Sequence, residues 1–325
     1  MATVKEKVKR ESILDIGLLT RLRARLEIPS TVRRLIFNPL SLLGIIIVLF
    51  FAAIAIAAPH LAPPKYPEDP YRIPRDGFIA EPHPPCAEHP FGTTEGQYDI
   101  YYGIIWGTRT AFKVGLIITG VAFLIGVTVG SIAGYFGGWV DEVLMRIVEV
   151  FQAFPFLLGA VTAAVVLKSH PQIAGRGGGI FAGIAALALF AWPTYARLIR
   201  GDILSVKERD YVLAAKALGL SDFRIILRHV LPNAIYSTIV VASMDIGSYV
   251  LSFSALSFLG LGADVGYADW GQMLSFARNW IPVLADFWYI IIYPGMAILL
   301  FVLGWNLIGD AFRDILDPKM RRPRQ

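Results

Sequence analysis

The chain has 325 residues, of which 55% are hydrophobic and 17% charged, and its formal net charge is +5. A soluble domain uses only about 45–50% apolar residues, and the mean hydropathy of this chain is +0.57, so an ordinary soluble protein is excluded. The basic balance would suit nucleic acid as well as a membrane. Because the Lys and Arg residues flank apolar runs, as orientation in a bilayer requires, we expect a membrane protein that does not bind nucleic acid.

Six apolar runs are long enough to cross a bilayer, whose hydrocarbon core of about 30 Å takes about 20 helical residues. Each must be helical, because lipid offers no partner for an unpaired backbone group. We therefore predict an all-α polytopic membrane protein. The predicted transmembrane helices are 39–58, 111–134, 142–167, 179–199, 233–260 and 287–309.

The distribution of basic residues predicts the orientation of these helices. If the N-terminus is cytoplasmic, 22 of the 30 Lys and Arg residues fall on the cytoplasmic side, so both termini are predicted to be cytoplasmic. The first run follows some 38 residues, too many for a signal peptide, so we expect an uncleaved first helix. Residues 1–38 fit either an amphipathic helix on the cytoplasmic membrane face or a solvated amphipathic helix.

The segment 59–110 is predicted to be an external, proline-rich arm without regular helix. It holds the single cysteine, Cys86, which cannot form an intramolecular disulfide. His60, His83 and His89 lie in or beside the arm. Without paired cysteines they are interpreted as surface histidines, and no metal site is predicted.

Small residues and prolines predict how the helices pack and bend. Gly126, Gly130 and Gly134 repeat every four residues, so they form one face that a second helix can approach closely. Prolines inside helices remove a backbone hydrogen bond and favour kinks. The prolines at such positions are Pro155, Pro193 and Pro294.

Charged residues within the apolar runs raise the question of ion coupling. Glu142, Arg146 and Glu149 share one helix face near the cytoplasmic interface, which predicts a structural ion cluster. Asp245 lies deeper, and an acid at the membrane centre costs about 2.5–3.5 kcal/mol that function must repay. An ion-gradient-driven secondary carrier therefore stays open as an alternative function.

Motifs of soluble catalysis are missing from the sequence, including the phosphate-binding loop, the H-E-x-x-H zinc motif and the G-x-S-x-G elbow. If ATP is used, another chain must bind it. A membrane-embedded enzyme stays open as a further alternative, and it would require activity from this chain alone.

One charged interlude, at about 201–232, interrupts the apolar runs. The composition from about Leu204 to Leu218 favours a helix, and Gly219 is placed to end it in the left-handed conformation. Ser221 can cap a second helix that begins at Asp222. Pro232 starts the next membrane segment.

Two short helices are thus predicted to meet at a sharp cytoplasmic turn. Ala214, Ala215 and Gly219 would form a small surface that another protein backbone can approach. These residues favour docking of a partner over a solvated amphipathic loop.

The interlude resembles the E-A-A-x-x-x-G…L-P coupling loop of binding-protein-dependent ABC importer permeases, which inserts into a cleft of the ATPase subunit. The matching positions are Ala214, Ala215, Gly219, Leu231 and Pro232. Further motifs resemble the second permease subunit of dipeptide, oligopeptide and nickel importers, and together they cover the chain from about Asn38 to Arg321. These motifs are HPFGT (89–93), GGWVDEVLMRIVEVFQAFPFLL (137–158), LSFLGLGA (256–263), WGQML (270–274) and NLIGDAFRDILDPKMR (306–321).

The resemblance implies a type I ABC importer permease fold in a prokaryotic inner membrane, with a core domain of 111–310 and a basic cytoplasmic tail of 311–325. It implies a heterodimer with a second permease subunit, two ATPase subunits that bind ATP and Mg, and an extracytoplasmic substrate-binding protein. This chain would bind no cofactor and catalyse no reaction. The residues implied in coupling to the ATPase are Leu213, Ala214, Ala215, Lys216, Gly219, Ser221, Asp222 and Pro232.

Peptides are the substrate that the resemblance implies first, with oligosaccharides and nickel chelates as alternatives, and the residues that line the pathway are not predicted.

The chain departs from the family pattern at two places. Leu213 stands at the position of the family's glutamate, which leaves the coupling geometry open. Gln97, Tyr98 and Asp99 replace the usual Gly-Arg-Asp after HPFGT, which leaves the external contact surface open.

Overall fold

The computed structural model describes residues 38–77, 79–170 and 178–316. They form helices and loops, with three isolated β-bridges between loop residues. The predicted amphipathic helix before residue 38 lies outside the described residues, as does most of the predicted basic tail.

The helices follow one another along the chain as α1 Pro39–Leu61, α2 Ile100–Phe136, α3 Gly138–Gln152, α4 Phe156–Lys168, α5 Gly178–Val206, α6 Asp210–Ala217, α7 Asp222–Ile225, α8 Leu231–Ala234, α9 Tyr236–Phe258, α10 Trp270–Phe276, α11 Leu284–Phe287 and α12 Tyr289–Leu316. A π-helical stretch, Ile226–Val230, joins α7 to α8. A 3₁₀-helical stretch, Ala277–Val283, joins α10 to α11.

The expected set of about six transmembrane helices is confirmed. Five helices (α1, α2, α5, α9 and α12) are each long and apolar enough to cross a membrane. The sixth predicted span is a broken one, in which α3 and α4 meet at 84°. Pro155 is the residue before α4 and lies at this bend. Pro193 and Pro294, by contrast, lie inside α5 and α12, which continue as single helices past them.

The second span begins well before its predicted start. Helix α2 starts at Ile100, so the proline-rich arm ends at Asp99 and not at residue 110. The side chain of Asp99 accepts a hydrogen bond from the backbone N–H of Tyr102, 2.8 Å away, and caps the helix. The first turns of α2 carry Trp106 and Arg109, which lower their hydropathy, so a search for lipid-length apolar runs does not find them.

The predicted glycine face on α2 is confirmed as a helix-packing face. Helices α2 and α5 lie side by side, and a Cβ placed on Gly126 would come within 2.6 Å of the carbonyl oxygen of Trp192. A Cβ on Gly134 would lie 3.0 Å from the carbonyl oxygen of Arg200. Because glycine has no side chain there, the two backbones pack in direct contact.

The arm, residues 62–99, folds back onto the helices. The backbone N–H of Ile73 donates to the carbonyl oxygen of Gly266, 2.8 Å away, and the ring of Tyr71 stacks on that of Tyr267 at 5.2 Å. The indole N–H of Trp106 in α2 donates to the carbonyl oxygen of Ala62, 2.9 Å away. We call this end of the bundle the arm end, and the opposite end, where α5 ends and α9 begins, the loop end.

His89 is not a surface histidine, contrary to the sequence-based interpretation. Its Nε2 lies 2.6 Å from Oδ2 of Asp76 and its Nδ1 lies 2.7 Å from Oδ2 of Asp99, and its side chain is only 15% exposed. Burial lowers the pKa of His89, but the bonds to Asp99 and Asp76 outweigh it and raise the pKa above its ordinary value. His89 thereby connects the arm to the cap of α2, a role that its sequence neighbours did not reveal.

Candidate coupling loop and polar cavity

The loop between α5 and α9 (residues 207–235, the α5–α9 loop) is anchored from within by an apolar core. Val212 and Ile225 are fully buried and Ala215 is 6% exposed. They belong to one hydrophobic cluster with Ile203 of α5 and Tyr135 of α2. The loop is therefore packed onto the ends of two membrane helices instead of extending freely into solvent.

Gly219 ends α6 as the sequence predicted. Its φ is +75°, in the left-handed region that favours glycine. The N–H of Gly219 donates to the carbonyl oxygen of Lys216 (2.9 Å) and that of Leu220 to the carbonyl oxygen of Ala215 (3.3 Å). This pair of bonds is the Schellman motif, which closes the C-terminus of a helix and fixes the sharp turn.

Polar contacts join the same turn to the C-terminal end of α2. The hydroxyl of Tyr135 donates to Oδ1 of Asp222 at 2.7 Å, and the ammonium of Lys216 lies 5.0 Å from the centre of the Tyr135 ring. Lys207 Nζ donates to the carbonyl oxygen of Gly134, 2.9 Å away. Ser221 occupies the predicted cap position of α7, but its side chain makes no capping hydrogen bond.

The outer face of the loop presents large apolar side chains. Leu218 is 80% exposed and Phe223 is 73% exposed, one on each side of Gly219, and Leu213 is 47% exposed. Large apolar side chains exposed together on a loop are typical of interaction surfaces. Leu218 and Phe223 stand beside the turn predicted from the sequence, but only the small residues of that turn were predicted to form the docking surface.

The predicted coupling residues divide by position. One of them, Ala215, faces inward and supports the loop from inside. The others are exposed on the loop: Leu213, Ala214, Lys216, Gly219, Ser221, Asp222 and Pro232. Their contact with an ATPase stays a prediction.

A charged pair lies near the base of the loop. Arg200 of α5 donates from Nε to Oδ1 of Asp141 and from Nη2 to Oδ2, each at 2.5 Å, so the pair is bidentate. Of the predicted ion cluster, Arg146 and Glu149 form a pair at 3.2 Å that is exposed to solvent. Asp141, which the sequence did not single out, makes the better-shielded connection between α3 and α5.

A cavity of about 670 Å³ opens at the bend between α3 and α4. Aromatic residues around Pro155 form part of its wall, and polar side chains from three helices, α3, α5 and α9, face it. The polar and charged residues that line it are Gln152, Thr194, Arg197, Asp245, Ser248, Tyr249 and Ser252.

Asp245 is held in this cavity wall by two tyrosines. Its Oδ2 accepts a hydrogen bond from the hydroxyl of Tyr195 at 2.7 Å and one from the hydroxyl of Tyr249 at 3.5 Å. Tyr195 lies on α5 and Tyr249 lies one turn after Asp245 on α9. The carboxyl group is therefore fixed in one orientation between two membrane helices.

Comparisons with known proteins decide the family. Residues 126–322 match the family model described as "binding-protein-dependent transport system inner membrane component", and residues 30–82 match that of the "N-terminal TM domain of oligopeptide transport permease C". The chain belongs to this family of transport permeases.

Curated relatives match this chain over most of its length and most of their own. The permease is 38% identical over 284 residues to the dipeptide transport system permease protein DppC of Alkalihalophilus pseudofirmus, covering 87% of each chain. It is 36% identical to DppC of Bacillus subtilis, covering 89% of this chain and 85% of the relative.

A solved structure supports the fold. A chain of the MetNI methionine ABC transporter in an inward-facing conformation superposes with a TM-score of 0.53 at 16% identity, covering 66% of this chain and 97% of that chain. The permease therefore has the type I ABC importer permease fold. It is a multi-pass inner membrane protein that works as a transport component, in a membrane-embedded complex with other subunits.

Proposed function

We propose that this permease is one of two permease subunits of an ATP-driven importer of peptides. The peptide substrate is suggested by relatives that are named dipeptide and oligopeptide permeases and that match most of the chain. The coupling role rests on one observation: an exposed apolar turn around Gly219 on a loop that is packed onto the membrane helices.

The outer face of the α5–α9 loop is the proposed docking site for an ATPase subunit. Leu218 and Phe223, which are both exposed, would enter an apolar cleft. The space around Gly219 is open, since none of the surrounding atoms comes within 4 Å of the position that a Cβ would occupy. ATP and Mg would bind in two ATPase subunits, and this chain would bind neither. Burial of such exposed apolar surface would stabilise the complex by about 25 cal/mol per Å² before the costs of association.

Closure of the ATPase subunits would move the loop, and the loop would move the helices. Its core residues pack on α2 and α5, and the Tyr135–Asp222 bond joins the turn to the end of α2. The Arg200–Asp141 pair then connects α5 to α3. Coupling requires that the loop make different contacts in the open and closed states of the ATPase, since a ligand shifts only an equilibrium between states that it binds unequally.

The loop end is proposed to be cytoplasmic and the arm end external, in line with the excess of basic residues on the loop side. An external binding protein would then deliver substrate at the arm end. The second permease subunit would cover the polar cavity, because charged groups at membrane depth face protein or water and not lipid.

A gradient-driven carrier is the alternative that Asp245 favours, and oligosaccharides or nickel chelates are the alternative cargo. One experiment separates them. The tagged chain is purified in mild detergent, its co-purifying subunits are identified, and the assembly is reconstituted into vesicles with its binding protein. We expect an ATPase subunit and a second permease to co-purify, and dipeptide uptake to require ATP. Uptake that runs on a proton gradient without ATP, by the chain alone, would refute the proposal.

A further inference from the structure

The cavity at the α3–α4 bend lies between helices that are long and apolar enough to span a membrane, yet it carries charge. Arg197 is exposed on α5 and Asp245 stands on α9, and both face the same cavity of about 670 Å³. A charged side chain in a membrane helix faces the bundle interior or a water-filled space. This side of the subunit is therefore directed at a polar compartment.

Asp245 has acceptor capacity that the protein does not use. Both tyrosine hydroxyls donate to Oδ2, and within the described part of the chain no hydrogen bond reaches Oδ1. None of the ion pairs among the described residues involves Asp245. A carboxylate held among apolar walls such as Phe156 and Phe190 is stabilised by a cation that enters the cavity.

Arg197 supplies the opposite charge in the same wall. Among the described residues the guanidinium of Arg197 forms no ion pair with Asp245, so the cavity presents one acid and one base at separate places. Such a surface is complementary to a zwitterion with an ammonium at one end and a carboxylate at the other. The volume lies within the range of about 300–1,000 Å³ that is typical of small-molecule sites.

We propose that Asp245 binds the protonated amino terminus of the peptide in this cavity, while Arg197 attracts the peptide's carboxylate. This inference rests on the proposed peptide-import function and adds a binding site to it. The site is expected to be weak, because a transport path must release its substrate as well as accept it.

If Asp245 had only a structural role, its variants would be expected to behave differently. In that case the carboxyl group would only join α5 to α9 through Tyr195 and Tyr249. Asp245→Asn keeps an acceptor oxygen for both hydroxyls and removes the charge. Tyr195→Phe keeps the charge and removes the shorter of the two bonds. The two variants therefore separate charge from structure.

Binding of a peptide in the cavity can be measured in the absence of the binding protein, because a bound peptide would protect a reporter cysteine from labelling. The reporter is Ser248→Cys, one turn from Asp245 in the same wall, in a Cys86→Ser background. The purified complex of permease and partner subunits, without nucleotide, is labelled with a maleimide over a range of dialanine or N-acetyl-dialanine concentrations. We expect dialanine to slow labelling and the acetylated peptide to require at least a tenfold higher concentration.

Asp245→Asn should raise the protecting concentration of dialanine to that of the acetylated peptide, whereas Tyr195→Phe, which keeps the charge, should still be protected at a lower concentration of dialanine than of the acetylated peptide. Equal protection by both peptides, an unchanged Asp245→Asn variant, or no protection at all would overturn the inference. Retained ATP-driven uptake of dialanine by the same complex would show that the proposed function stands while this site fails. A complex with no peptide uptake would refute the proposed function itself.

Discussion

Arg200 and Asp141 form a two-bond ion pair between α5 and α3, with both N···O distances at 2.5 Å. Three residues before Arg200 on α5, Arg197 lines the cavity, and six residues after it α5 ends at the α5–α9 loop. One rigid helix thus carries a cavity residue, the ion pair and the start of the loop. Movement of the loop would therefore reach the cavity through α5 itself.

The bidentate geometry of Arg200 predicts that lysine cannot replace it. Lysine keeps the charge but lacks the planar fork that binds both oxygens of Asp141. We expect Arg200→Lys to destabilise the protein by about 1.5 kcal/mol, the lower end of the contribution of a hydrogen bond to a charged group, because the pair is partly exposed. The measurement is the apparent melting temperature in detergent.

Arg146→Lys is the matched control for this change. Its pair with Glu149 is 73% and 54% exposed, and exposed pairs contribute only about 0–1 kcal/mol. Equal shifts in melting temperature for both variants would show that Arg200 contributes no more than a surface charge.

Gly219→Arg should uncouple the transporter without unfolding it. The position is left-handed with open space around the missing Cβ, so a side chain costs about 1–2 kcal/mol in backbone strain and extends into the docking face. We expect the variant to insert normally, to bind the ATPase subunit poorly and to lose ATP-driven uptake. Co-purification and vesicle uptake measure these effects.

Gly260→Arg controls for the strain. Gly260 is also left-handed (φ +79°) with open space, but it stands at the arm end. This variant should retain the ATPase subunit. Normal uptake by Gly219→Arg, or equal loss of the ATPase in both variants, would contradict the docking role.

The apolar side chains beside the turn should contribute binding energy. We expect Phe223→Ala to weaken association with the ATPase subunit by about 5- to 30-fold, in line with the 1–2 kcal/mol that an interface residue of moderate importance loses on truncation. Val265→Ala, which truncates an apolar side chain that is 75% exposed at the arm end, should leave the affinity unchanged. Binding of purified ATPase subunit to the permease in nanodiscs measures the difference.

The His89 bridge predicts that the arm loosens as the pH rises. The pKa of His89 is raised above 6.5, so the stability that it contributes is complete below pH 6.5 and is lost as the pH rises through the folded-state pKa. Burial raises the pKa of Asp76, but Lys65 and His89 outweigh it and lower the pKa below 3.8, so its contribution is lost only in acid, as the pH falls through the lowered value. The arm should be most stable between these limits.

Hydrogen exchange tests this pH dependence. Amide protection factors around the turn closed by the bond from Gly92 N to the carbonyl oxygen of His89, corrected for intrinsic rates, should fall above the raised pKa. In His89→Gln they should not change with pH over the same range. Parallel curves for the two proteins would contradict the bridge.

Local patterns in the sequence predicted the local features of the fold. Apolar runs located the spans, glycines every four residues located the α2–α5 contact, and Gly219 located the turn. These features depend on residues that are neighbours along one helix. Contacts between distant parts of the chain were not predictable in this way. Arg200 and Asp141 are 59 positions apart, and no local pattern near either residue indicates which residue it pairs with.

Gln97 is a departure from the family pattern whose reason only the structure gives. Gln97 stands where the family usually has glycine, and its φ is +59°, the left-handed region that glycine adopts without strain. Its side chain is 5% exposed, so its packing holds a conformation that a longer residue otherwise disfavours. The sequence pointed to the substitution, but only the backbone angle gives the reason why glycine suits this site.

Site-directed cross-linking tests the central claim most directly. Leu218→Cys and, separately, Val265→Cys are placed in a Cys86→Ser background, and a short thiol-to-amine cross-linker is applied to the assembled transporter. We predict that the loop cysteine cross-links to the ATPase subunit and that the arm-end cysteine does not. If the intact assembly gives cross-links to the ATPase from position 265 and none from position 218, the α5–α9 loop is not the coupling site.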